Sequence, residues 1–422
     1  MIGDHSTPTI LGRYTSGVLA ALIPEDRARH LYLIGKTGTG KSTLLLNMMA
    51  ADLADGHGFA LLDPHGDLAL AIADSIPPHR TNDVIYLDPA DLSFPIGFNP
   101  LHNIVPDKRP LVAAHIVAAF QHIWGDSWGP RLEYILTNAL RLLLDAPGST
   151  LLGLPRLLTD VNYRQRLLAH VRDPVIAGYW SNEFPSYPER FQIEAVAPIQ
   201  NKIGTLLSPP AIRNMLGQVK STIDIRRMMD DGHVLIVNLS KGRLGEAPTH
   251  LLGAMLATAF AQAAESRSDL PEGERRPFTL YADEFQNFAS ASFATILSEA
   301  RKYRLALVLA HQFLGQLPPL LRQAVIGNAG SIVAFRIGAE DAPLLAAELG
   351  IETTSALSEI GNFTAWVKLM QNGLPTEVRR LETLPHDPSS RDRLEAVRNR
   401  TRTRHARPRE QVESRIQRFL AS

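Results

Sequence analysis

Seven short runs of branched apolar residues, at 31–35, 58–63, 83–87, 233–239, 278–283, 305–310 and 331–336, are each closed by glycine or polar turn residues. Most are separated by segments with helical spacing, such as Phe293, Ile296, Leu297 and Ala300, or Leu251, Leu252, Met255, Leu256, Ala259 and Phe260. A strand that stays apolar over several consecutive positions is buried on both faces. Parallel strands joined by crossover helices are the arrangement that buries both. The pattern predicts an α/β fold with a mainly parallel sheet. One interval breaks the alternation: from 102 to 229 helical spacing dominates, at 111–123, 132–143 and 154–168, and no run reads as a strand. The expected division is therefore a core in two parts, 1–101 and 230–385, an inserted all-helical domain at 102–229, and an arginine-rich C-terminal tail at 386–422.

The first of these runs leads into HLYLIGKTGTGKSTLLL, His30 to Leu46, with three glycines within 35–40 between two apolar segments. A chain reversal needs fewer. Gly35, Lys36, Thr37, Gly38, Thr39, Gly40, Lys41 and Ser42 satisfy G-x-x-x-x-G-K-[ST] in full, between a predicted strand and a predicted helix. Glycines let backbone N–H groups curl around phosphate oxygens with no Cβ in the way, and the helix adds its positive dipole end. Residues 35–43, Thr43 included, are thus the expected nucleotide cradle. Lys41 is placed to reach the β- and γ-phosphates and the Ser42 hydroxyl to ligate Mg²⁺.

Such a loop needs a carboxylate partner. FTLYADE, Phe278 to Glu284, is an apolar strand ending in two acids. Paired acids are costly inside a sheet, so they belong at its carboxyl end, where α/β folds bind ligands. Asp283 is expected to hold Mg²⁺ through water and Glu284 to polarise the water that attacks the γ-phosphate. No Asn-Lys-x-Asp guanine-reading motif is present, which favours ATP over GTP. The run at 305–310 ends in Ala310-His311-Gln312, and Gln312 is a candidate γ-phosphate sensor. Arg301, Lys302 and Arg304 precede that run, either as an arginine finger toward a neighbouring subunit or as cations answering a helix C-terminus. The DPHGD turn, Asp63 to Asp67, has one histidine and no second ligand run nearby, so it reads as a turn close to the phosphate loop.

Composition narrows the setting. The 422 residues include no cysteine, which excludes disulfides and thiolate metal sites, and 45% are apolar, enough for a sizeable core. The N-terminus lacks a basic segment followed by an apolar stretch, and no run reaches the ~18 apolar residues of a membrane span, so a soluble, cytoplasmic chain is expected. Net charge is zero, yet between Arg391 and Arg418 ten arginines face four acids, a local net of +6. That asymmetry suggests a polyanionic partner, or a solvated helix with surplus arginine.

The phosphate loop, the DPHGD turn, FNPL at 98–101, LYADEFQNF, SEARKYRLALVLAHQ and GNAGSIVAFRIGAEDA occur in an order that resembles the conjugative DNA-transfer coupling ATPases of type IV secretion systems, of the HerA/FtsK class of P-loop DNA pumps. The resemblance runs from about Thr9 to the tail. It implies a RecA-like core with an all-helical insertion and a hexameric ring ATPase that moves DNA. It also implies ATP and Mg²⁺ as cofactors, with DNA, further copies of the chain and secretion or relaxosome-type proteins as partners. Lys41, Ser42, Asp283, Glu284 and Gln312 take the roles given above, and Arg301 matches the finger position, with Arg304 the alternative. Membrane-anchored members carry N-terminal transmembrane helices, whereas thirty residues precede the first of the seven runs here. No direct membrane span is therefore expected, and any place at the inner membrane is peripheral, through partners. The competing classes are an ATPase of similar core that powers protein secretion or assembly without DNA, and a nucleotide-dependent scaffold.

Overall fold

A computed structural model describes residues 7–289, 291–386 and 392–421. All seven apolar runs are strands: β3 (Leu31–Ile34), β4 (Gly58–Asp63), β5 (Val84–Leu87), β6 (Val234–Asn238), β7 (Phe278–Ala282), β8 (Leu305–His311) and β9 (Ser331–Ala334). Every residue in them is buried. They pair in parallel in the order β9-β3-β8-β7-β4-β6-β5.

The sheet is larger than the apolar runs indicate. Four further strands, β1 (Thr9–Tyr14), β2 (Leu19–Leu22), β10 (Thr364–Lys368) and β13 (Arg379–Thr383), extend it antiparallel beyond β9 in the order β10-β13-β1-β2, giving eleven strands. A small hairpin of β11 (Met370–Gln371) and β12 (Leu374–Pro375) lies between β10 and β13 in sequence. The added strands alternate in burial: RRLET of β13 reads exposed, exposed, buried, exposed, buried. They are buried on one face only, and β1, β10 and β13 accordingly carry charged residues among apolar ones, whereas β2, LAAL, is apolar throughout yet alternates exposed and buried.

The residues group into two units. The first, Met1–Leu87, Ile225–Lys241 and Leu256–Thr401, contains the whole sheet. Its far edge strand β5 is covered by part of the helix Leu394–His405, whose Val397 and Thr401 are buried. The Tyr86 N–H donates to Thr401 Oγ1 at 3.0 Å, and Arg398 lies 5.4 Å over the Tyr86 ring. A sheet edge left open invites pairing with another chain, and this helix closes it.

The second unit, Asp88–Asp224, Gly242–Met255 and Arg402–Ser422, is helical. Its helices Arg109–Trp124, Pro130–Asp145 and Glu189–Leu207 pack around Phe120, Leu140, Trp180 and Ile199, all at most 1% exposed. Asn99 of the FNPL motif is buried here. Its amide donates to the carbonyls of Ser149 and Val219, both at 2.9 Å, and its Oδ1 accepts from Leu101 N–H at 3.0 Å. It ties the segment entering the unit to the one leaving it. The helix Arg409–Ala421 also packs in this unit through Val412 and Ile416. Of the ten tail arginines Arg391 lies outside the described residues. Arg402 is paired with Asp91 at 2.7 Å and Arg409 with Glu413 at 2.9 Å. No helix among the described residues is long and apolar enough to cross a membrane.

Candidate functional site

The site is built at the carboxyl ends of β3, β4, β7 and β8. Leaving β3, the Gly35 N–H donates to His311 O at 3.3 Å and the Lys36 N–H to Arg336 O at 2.8 Å, so the loop begins pinned to its neighbours. A Cβ on Gly35 would sit 2.6 Å from Phe335 Cβ, so a side chain there forces a shift. Gly40 has φ of +122° and caps the helix Lys41–Ala54 with no side-chain hydrogen bond. The first N–H groups of that helix have no partner within it and point along the dipole into the loop. Thr39 is fully buried, and its hydroxyl donates to Lys36 O at 2.7 Å. Lys36, Thr37, Gly38 and Ser42 are exposed, with Thr43 half-buried behind them.

Lys41 is 5% exposed, and its ammonium donates to Gly35 O at 2.5 Å and Lys36 O at 3.2 Å. Burial lowers its pKa, while the carboxylates of Glu284 and Asp283 favour its charge. Opposite stands the end of β7. Asp283 is pushed up to about 7, first by burial, then by the charges of Asp63 and Glu284, with Lys41 opposing. Its Oδ1 is buried without a hydrogen-bond partner. A buried, orphaned carboxylate oxygen among further acids fits a divalent cation, which would supply the missing charge and draw the proton off.

Glu284 adopts left-handed backbone angles, φ 45° and ψ 50°, a conformation that costs about 1–3 kcal/mol for a non-glycine residue and clusters at functional sites. Its Oε1 accepts from Gln312 Nε2 at 2.8 Å and its Oε2 from Gln286 Nε2 at 2.7 Å. The Asn287 amide donates to the Glu284 carbonyl at 2.7 Å, and Asn287 Oδ1 accepts from Lys241 Nζ at 2.6 Å. Behind Gln312, His311 is fully buried against Tyr32 and edge-on to Phe285, with ring centroids 5.1 Å apart. Burial and the Lys41 charge lower it to about 3, so it stays neutral.

Lys41, Asp283, Glu284 and Gln312 are thus brought together; Arg301 is not. It is exposed on the turn Ala300–Tyr303, at the amino end of β8, whose seven residues span about 23 Å. Arg304 sits at the same edge with φ of +57°, its carbonyl accepting from Phe278 N–H at 3.0 Å. Asp63, at the end of β4, is a site residue that sequence reasoning left as part of a turn. Its carboxylate accepts from His65 N–H and Ala69 N–H, both at 2.9 Å, and its charge acts on Asp283. The signal was available, since it too is an acid closing a buried parallel strand. Lys241 carried no such signal and enters through Asn287.

Comparison with known proteins follows the same lines. The family model described as the type IV secretion-system coupling protein DNA-binding domain matches residues 13–358. Among solved structures, the chain is similar to the unbound bacterial conjugative coupling protein TrwBΔN70, with TM-score 0.66 and 16% identity over 92% of this chain and 91% of that one. The plasmid coupling protein TrwB in complex with ADP and Mg²⁺ gives TM-score 0.65 and 17% identity, with 92% of both chains covered. VirB4 of Thermoanaerobacter pseudethanolicus gives 0.58 and 13%, covering 92% of this chain and 98% of that one. At these identities the likeness is one of fold. A search of curated proteins gives no match.

Proposed function

The chain belongs to the family of type IV secretion-system coupling proteins, and from that premise we propose that it is an ATP-driven DNA translocase acting as a hexameric ring in conjugative-type transfer. The observation that carries the enzymatic part is the meeting of Lys41, Asp283, Glu284 and Gln312 beside an uncapped helix start. TrwB, whose fold this chain shares, has been solved with ADP and Mg²⁺ and with a non-hydrolysable ATP analogue; ATP and Mg²⁺ are the cofactors proposed here.

In this reading residues 35–43 bind the phosphates through backbone N–H groups, and Lys41 exchanges its two carbonyl contacts for β- and γ-phosphate oxygens. Ser42 and Asp283 would hold Mg²⁺, which supplies positive charge against the phosphates when bound. Glu284, oriented by Gln312 and Gln286, accepts the proton of the water whose oxygen attacks the γ-phosphorus as the bond to ADP breaks. Gln312 reports the loss of the γ-phosphate to β8. Arg301, at the opposite end of that strand, serves a neighbour's site in the ring. The helical unit and the tail arginines are the proposed surfaces for DNA and for secretion or relaxosome-type partners, which hold a cytoplasmic protein at the inner membrane.

The test is a pair of variants. Lys41→Ala is expected to lose ATP binding and turnover together, and Glu284→Gln to bind ATP and retain it with turnover reduced at least 100-fold, as loss of a positioned general base implies. Wild-type turnover by Glu284→Gln removes Glu284 from its role.

A further inference from the structure

Phe363 stands against the phosphate loop in a conformation an aromatic residue rarely takes. Its φ is +61°, in the left-handed region, and its side chain is 50% exposed. Three hydrogen bonds hold it there. Its N–H donates to Thr39 O at 2.7 Å, and its carbonyl accepts from the Thr383 N–H at 2.8 Å and the Thr383 hydroxyl at 3.1 Å. A Cβ built on Gly40 would lie 3.2 Å from Phe363 Cα and 3.3 Å from its ring carbon Cδ1, so the ring rests on the loop itself.

None of those bonds needs a phenyl group. Glycine would make all three from the same backbone without strain. A bulky apolar side chain kept at positive φ and half in water points to a task for the ring. A second feature bounds the same region. On the helix that follows the loop, Asn47 lies one turn beyond Thr43, and its amide donates to Leu384 O at 2.8 Å while its Oδ1 meets His386 Nδ1 at 2.9 Å. The segment from Thr383 to His386 is thereby fastened alongside the second turn of the helix, with Thr383 bonded to Phe363.

We propose that Phe363 is the stacking surface for the purine base of the bound nucleoside triphosphate, which leaves the phosphate loop between this ring and the Leu384–His386 segment. The inference rests on the nucleotide reading of residues 35–43. Stacking uses the π-face common to all bases, so it grips ATP and GTP alike and does not read the base edge.

The experiment separates base from phosphate. Binding of ATP and of inorganic tripolyphosphate, which has no base, is measured for the wild-type chain, Phe363→Ala, Phe363→Gly and Phe363→Trp. Alanine and glycine are expected to weaken ATP about 5- to 150-fold, the range for losing one base–aromatic stack, and to leave tripolyphosphate unchanged; tryptophan should keep ATP. Phe363→Gly should also melt at or above the wild-type temperature, because it relieves the backbone strain, so its loss of ATP cannot be assigned to misfolding. Equal weakening of both ligands would make Phe363 a support for the loop and overturn the proposal, as would unchanged ATP binding in both small variants. A wild-type chain that binds neither ligand would contradict the nucleotide reading itself.

Discussion

At the scale of single residues, the site stores its readiness in Asp283. Burial, Asp63 and Glu284 hold its pKa near 7, against 3.8 ordinarily. The folded chain therefore keeps a proton that the unfolded chain has released, and stability falls as pH rises from about 4 to about 7. Asp283→Asn removes that penalty. In the absence of nucleotide and metal it should melt higher than wild type at pH 8, by roughly 1 °C for each ~1 kcal/mol relieved. Mg²⁺ with ATP should raise the wild-type melting temperature and raise that of the variant much less. A variant that melts lower than wild type in thermal scans at pH 8 would show that the charge of Asp283 is compensated within the protein. Much of this was legible in the sequence, because an acid pair closing an apolar strand has few places to go. Asp63 gave the same signal, an acid closing the buried strand β4, but its action on Asp283 depends on β4 and β7 lying side by side, which the sequence does not state.

At the scale of elements, burial on two faces made the seven core strands readable, and burial on one face hid β1, β10 and β13. TAWVK of β10 alternates half-buried and buried residues, and its central tryptophan donates to Ala356 O at 3.0 Å, a partner distant from any strand pattern. The tail shows a second limit. Its arginines read as a charge run, yet the apolar Val397, Val412 and Ile416 among them are core positions, and Thr401 accepts the edge N–H of β5. Thr401→Val keeps the shape and removes that acceptor. Leaving the buried Tyr86 N–H without it should cost about 1–3 kcal/mol in denaturant unfolding. An unchanged midpoint would mean that the helix covers the edge without securing it.

At the scale of the whole molecule, Arg301 and the residues proposed to bind nucleotide occupy opposite ends of one sheet, so within one chain they cannot cooperate. In the proposed ring, Arg301 would instead act on a neighbour's γ-phosphate. Arg301→Ala should leave ATP affinity near wild type and reduce turnover, by as much as the ~10³-fold lower bound for fingers in GTPases. Mixed with Lys41→Ala it should recover activity, because intact sites then form between unlike subunits. No recovery in verified mixed rings would leave Arg301 as a cation at a helix end.

Coupling of ATP turnover to DNA separates the translocase from a secretion ATPase of the same core and from a scaffold. The steady-state ATPase rate of the wild-type chain, with Glu284→Gln as the blank, is measured alone and with single- and double-stranded DNA over a range of salt. Turnover is expected to rise several-fold on at least one form of DNA. Raised salt should erase the stimulation, since DNA affinity falls by about 0.7–0.9 log units per phosphate contact for each tenfold rise in salt. A basal rate well above the blank that neither DNA changes at low salt would contradict DNA translocation, and turnover no higher than the blank under every condition would contradict the ATPase.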